Sequence, residues 1–204
     1  MSSSTLQILQ PAEYFRERVS LAAHTLQCDI NDDLEFYLVN LLCDFIEPER
    51  LTGNHEDIHP LETPLAVILK TALESPPDQK LRLFKQMGDT SLYVAGCFQD
   101  YFNRKTYDID YYIGMGKNAY LQMSQLMQER HKDEHFAALY DLLAKKFPEF
   151  VEIFALVSEE TMSTRRNADI LTLYDRWNST GSERLKKQLE ATGIEPITVT
   201  KKAQ

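Results

Sequence analysis

Between Leu81 and Met127 the apolar residues keep helical spacing, and small residues keep it with them. One stripe runs through Leu81, Phe84, Gly88, Ser91, Ala95, Phe98 and Phe102, with Leu92 beside it. A second line on the same segment, Met87, Thr90, Val94, Cys97 and Tyr101, is also largely apolar. A helix that is apolar on two sides is usually buried between neighbours. The next stripe runs through Ile109, Tyr112, Ile113, Gly116, Ala119, Tyr120, Met123, Leu126 and Met127. Small residues on facing stripes let two helix axes approach more closely than the usual roughly 8–10 Å. The expectation is therefore an all-α fold with two central helices, about 78–103 and 108–130, that cross closely. Gly88 also offers an alternative, a break in the first of them with Asp89 capping a new helix.

The flanking sequence fits seven to nine helices in one domain, 1–204, with flexible ends at 1–10 and 197–204. Pro11 suits a first helical turn, and Phe15, Val19, Ala22 or Ala23, and Leu26 share a face, giving a helix over about 11–27. Asn31-Asp32-Asp33 supplies cap oxygens and negative charge for the next helix, and Glu35 follows Asp32 at capping-box spacing. Leu34, Tyr37, Leu38, Leu41, Leu42 and Phe45 give that helix a broad apolar face. Residues 47–62 read as an exposed polar connection. Pro64 opens a short helix through Leu73, Pro76 and Pro77 end it, and Asp78 is placed to cap its successor. A turn is expected at Asn103-Arg104-Lys105-Thr106, with Asp108 as the next cap. Helices are expected around 133–146, from Pro148 to about 160, around 167–178 and around 182–192. Gly193, Ile194 and Pro196 form a stop signal for the last of these.

Composition narrows the function classes. The 204 residues carry a formal net charge of −9 and a pI near 5.1. Nucleic acid and anionic membrane surfaces both call for a basic footprint, so neither is an expected partner. The three cysteines, Cys28, Cys43 and Cys97, form no CxxC and are odd in number, which points to buried free thiols. The N-terminal sequence lacks the pattern of a secretory signal, no apolar run reaches transmembrane length, and a cytoplasmic location is the default.

Chemistry-bearing residues cluster in the centre. Arg82, Gln86, Asp89, Tyr93, Asp100 and Asn103 share a polar side of the first central helix, followed by Arg104, Lys105, Asp108 and Asp110. Buried charges need partners. One reading is an internal network of caps and ion pairs, such as Asp89 or Asp108 with Arg82 or Arg104. The other is a polar pocket for a small molecule, formed by Asp89, Arg104, Asp108 and Tyr112. His55-Glu56-Asp57-Ile58-His59 matches H-E-x-x-H, and His131 and His135 make a second pair at the same spacing. Both pairs lie in polar surroundings without a third ligand at a telling distance, so solvated surface is the preferred reading over a metal site. Gly114-Met115-Gly116-Lys117-Asn118 is only a fragment of a phosphate loop, and Asp108-Ile109-Asp110 is a short acidic pair of a kind frequent by chance. No cofactor is expected.

The tract GDTSLYVAGCFQDYFNRKTYDIDYYIGMGKNAY, together with FYLVNLLCDFI and LYDRWNSTGSERLKKQLEATGIEPI, resembles an uncharacterised family of bacterial all-helical cytoplasmic proteins. The resemblance implies a single helical domain and carries no activity with it. The expected function is a non-catalytic interaction or regulatory module with a partner protein. The alternatives are a small-ligand-binding protein or enzyme at the polar side of the central helices, and a metalloprotein using the histidine pairs.

Overall fold

The computed structural model describes residues 10–46, 61–98, 109–129, 133–180 and 183–194. Among these residues it contains eight helices and no strand. They are α1 (Pro11–Thr25), α2 (Asp32–Ile46), α3 (Leu65–Glu74), α4 (Pro77–Cys97), α5 (Ile109–Glu129), α6 (Glu134–Lys145), α7 (Phe147–Thr180) and α8 (Glu183–Ala191). No helix among them is long and apolar enough to cross a membrane. The expected connection at 47–62 lies outside the described residues up to position 60, and the turn at 103–106 lies wholly outside them, as do the chain ends 1–9 and 195–204.

Local chemistry explains the helix starts. The Asn31 side chain accepts from the Leu34 N–H at 3.0 Å and caps α2. Glu35, placed in sequence as the return half of a capping box, instead accepts from Arg16 Nε at 3.1 Å. Pro76 occupies the cap position of α4 and Pro77 its first turn, where a missing N–H costs nothing. Asp78 therefore sits inside the first turn rather than at the cap, still next to the positive end of the helix dipole. Asp133 caps α6 by accepting from the His135 N–H at 3.2 Å.

The chain divides into two compact units, Met1–Ser158 and Glu159–Gln204. The sequence reads as one domain because the division falls inside α7, in a polar stretch that no proline or glycine marks as a linker. For the same reason the expected break between helices at about 160–167 is absent: α7 continues through it to Thr180. Thr161 to Asn167 contains no residue that forbids a helix. In the second unit Trp177 and Leu189 are buried, and Tyr174 meets Trp177 edge-on at 5.5 Å. Gly193 adopts φ 86°, with Ile194 N–H donating to Leu189 O at 3.1 Å and Gly193 N–H to Glu190 O at 3.0 Å. That pair of bonds is the glycine stop expected from the sequence.

In the first unit α4 and α5 form the most extensively packed pair of helices, and α3 and α6 flank them. α4 runs through Gly88 without a break. The small residues do two things. At Gly116 a Cβ would fall 2.8 Å from Ser91 Cβ and 2.5 Å from Phe147 Cε2, so the two helices approach closely there. At Gly88 a Cβ would overlap the Tyr120 ring, 2.6 Å from its Cδ1. At Gly96 a Cβ would overlap the Phe154 Cβ and fall 3.1 Å from the Val151 carbonyl oxygen, so α7 approaches α4 closely there. Gly88 and Gly116 are sockets for aromatic rings, and Gly96 and Gly116 are points of close approach.

Tyr120 is fully buried and its hydroxyl is held by Asp89, so the ring cannot swing aside cheaply. Gly88→Ala is therefore expected to destabilise the protein by about 1–3 kcal/mol through overpacking. Gly114, on the exposed side of α5, has nothing within 4 Å of an added Cβ. There alanine should stabilise by about 0.5–1 kcal/mol through helix propensity. Urea unfolding of the two variants checks both signs.

Candidate functional site

α2 and α6 leave a groove of about 390 Å³ between them. α2 contributes Asp33, Phe36, Tyr37, Asn40, Leu41 and Asp44, a stripe at helical spacing. α6 contributes His135, Phe136, Leu139 and Tyr140, and α4 contributes Lys85. Two of the lining side chains, both phenylalanines, are conspicuously bare: Phe36 is 72% exposed and Phe136 is 47% exposed. Across the groove His135 Nε2 lies 3.2 Å from Asp33 Oδ2.

Beneath the groove is a polar knot. Tyr37 Oη donates to Asp89 Oδ1 at 2.5 Å, and Tyr120 Oη donates to the same oxygen at 2.8 Å. Lys85 Nζ donates to Asp89 Oδ2 at 2.5 Å, one helical turn back on α4. The Asp89 side chain is 14% exposed, so these charge-assisted bonds replace nearly all of its water. The Lys85 ammonium also lies 5.3 Å from the centre of the Tyr37 ring, a cation–π distance. Tyr37 meets the Tyr120 and Tyr140 rings edge-on or nearly so, at 6.2 and 5.8 Å. Its hydroxyl faces inward while part of its ring lines the groove.

Burial, and then the Asp89 carboxylate, push the Tyr37 and Tyr120 phenols well above their ordinary range. Burial also raises Tyr140. The Asp89 carboxylate raises the Lys85 ammonium. These groups are held in their neutral-phenol and charged-ammonium states, which suits a structural clamp and not a proton shuttle near neutral pH. The thiols are quiet too. Burial, helped by a hydrogen bond to Glu149, pushes Cys28 up to about 11, and burial alone pushes Cys97 up to about 12. None of the three cysteines forms a disulfide; Cys43 is buried and the other two are partly buried.

The sequence-derived residues fare unequally. Asp89 is at the centre of a network, as one of the two readings had it. Its cation is Lys85, where Arg82 or Arg104 was expected, and its other partners are two tyrosines. It lies under the groove and does not line it. Tyr112 is partly buried on α5 with its ring 5.5 Å from that of Tyr111, and Tyr120, about two turns further along, is the tyrosine that reaches Asp89. Arg104, Asp108, His55, His59 and His131 lie outside the described residues. His135 faces Asp33, and the described residues contain no group of three or more side chains placed to hold a metal. The groove phenylalanines were not singled out in the sequence, although a signal existed for one of them. Phe36 falls out of phase with the α2 stripe Leu34, Leu38, Leu41, Leu42 and Phe45, whereas Phe136 keeps helical spacing with Tyr140 and Leu143 and reads as a core position. Comparison with protein-family models, curated proteins and solved structures gives no match, so the reading of the site rests on its own geometry.

A phenol whose folded-state pKa is raised contributes stability that is present below about pH 10 and is lost as pH rises further, because the unfolded phenol releases its proton first. Lys85 acts in the same direction. Stability measured by urea unfolding should thus fall steeply above about pH 10, and Tyr37→Phe or Tyr120→Phe should each flatten the slope by up to about 1.4 kcal/mol per pH unit. Near neutrality each substitution should cost about 1.5–3 kcal/mol, the range for a hydrogen bond to a charged group.

Proposed function

We propose that the protein is a non-catalytic binding module that holds a partner protein in the groove between α2 and α6. One observation carries this reading: Phe36, 72% exposed, and Phe136, 47% exposed, stand on two helices lining one groove, above the hydrogen-bonded Asp89 network. Covering a phenylalanine contributes about 1.5–3 kcal/mol, so two exposed rings lining one groove can anchor a partner. The titratable groups beneath the groove support binding over catalysis, since Asp89, Lys85, Tyr37 and Tyr120 are engaged with one another. The net charge of −9 supports a protein partner over nucleic acid. Three cysteines without a disulfide support a reducing compartment, and we place the protein in the cytoplasm, bacterial on the strength of the resemblance of its central tract.

A second reading has its own observation. The groove volume of about 390 Å³ falls in the range of small-molecule sites, and its lining mixes aromatic rings with a few polar groups. A small ligand would leave most of Phe36 uncovered, which favours the larger occupant.

A photo-crosslinking residue placed at position 36 or 136 in producing cells tests the proposal. Discrete protein adducts are expected from both positions and not from position 67, where Val67 is 49% exposed on α3. The same adducts from all three positions, or none, would contradict it.

A further inference from the structure

The proposal above leaves the chemistry of the partner open, and the groove constrains it. We infer that the occupant is a basic, amphipathic helical segment of another protein, an inference that rests on the groove being a docking site. The first argument is charge. α2 carries Asp32, Asp33, Glu35 and Asp44 and no lysine or arginine. Asp33 and Asp44 stand at the two ends of its groove-facing stripe. Lys85, the one lysine among the described lining residues, is bonded to Asp89, so its charge is already countered there. The lining carboxylates are Asp33 and Asp44, two formal negative charges, and His135 is engaged with Asp33. A segment bearing lysine or arginine on either side of an apolar anchor complements this rim; an acidic one is repelled by it.

The second argument is shape. The α2 stripe from Asp33 to Asp44 spans about 16 Å, or three helical turns. An occupant that meets it along that length presents contacts at i, i+3 or i+4, and i+7, the pattern of a helix laid in a groove. The aromatic lining suits the same partner. Phe36 and Phe136 receive apolar anchors, and tyrosine faces accept cations, as the Lys85 ammonium over Tyr37 illustrates. A second copy of this chain is disfavoured as the occupant. A two-fold contact through this surface would set the Asp33 and Asp44 carboxylates of each α2 against the same surface of its mate.

The experiment uses the full chain and synthetic peptides of about 14 residues, enough to cover the stripe. Three peptides share leucine and phenylalanine at helical spacing and differ in the remaining positions, which are lysine, glutamine or glutamate. A fourth has the lysine composition with its helical period scrambled. Binding is read by calorimetry and by amide chemical shifts. The lysine peptide should bind about tenfold more tightly than the glutamine or scrambled peptides, shift amides of α2 and α6, and weaken with salt, while the glutamate peptide should not bind. Phe36→Ala and Phe136→Ala should each weaken it about tenfold, and both side chains are exposed enough for the fold to survive. Asp33→Asn with Asp44→Asn should weaken the lysine peptide and leave the glutamine peptide unchanged. Equal binding of lysine and scrambled peptides, or no effect of any of these substitutions, would overturn the inference. If the glutamine or glutamate peptide binds best and loses affinity in Phe36→Ala, the charge inference falls while the docking site stands. If no peptide binds yet crosslinks form at positions 36 and 136, the helical basic partner is wrong and the docking reading survives. If neither peptides nor crosslinks appear, both fall.

Discussion

The carboxylate of Asp89 sits among tyrosine rings, where an unpaired charge would cost several kcal/mol. Three donors prevent that cost, and each comes with a constraint. Tyr37 reaches it from α2, Lys85 from its own helix and Tyr120 from α5. For Tyr120 to be there, its ring must occupy the space beside Gly88, and any larger residue at position 88 would collide with it. One ionised group thus ties the placement of three helices to the absence of one side chain. The apolar core around it, including Leu38, Phe84, Met87, Leu92, Met123 and Phe147, supplies most of the driving force but less of the specificity.

That division of labour has a consequence for function. The knot fixes Tyr37 from below, and the upper part of Tyr37 is groove wall. α2 and α6 therefore present their phenylalanines on a backing that is already ordered, and a partner has less to immobilise when it binds. The same residues that look chemically interesting in sequence, an aspartate, a lysine and tyrosines in one region, spend their chemistry on holding the scaffold. The exposed rings beside them are what a partner meets.

Much of this architecture is written in local sequence. The α2 stripe, the Asn31 start, the stop at Gly193 and the pairing of the two central helices all follow from spacing and backbone chemistry between near neighbours. The continuity of α7 was not legible, because a polar stretch without proline or glycine is equally compatible with a solvated helix and a connection. The partners of Asp89 were not legible either. Tyr37 lies 52 residues away and Tyr120 lies 31 away, and no local pattern ranks them above the nearer arginines. Phe36 was legible in part, through its phase, and Phe136 was not, because its spacing to Tyr140 and Leu143 is that of a core residue. That both fall on one groove depends on how α2 and α6 sit against each other.

The central claim is that Asp89 and its phenol partners form one coupled unit. A double-mutant cycle on Asp89→Ala and Tyr37→Phe, read by urea unfolding at neutral pH, addresses it most directly. The account predicts a coupling energy of about 1.5–3 kcal/mol, the range for a buried hydrogen bond to a charged group. Additive effects, agreeing within about 0.3–0.5 kcal/mol, would mean that Asp89 and Tyr37 act independently and that the helices are held in place by apolar packing alone.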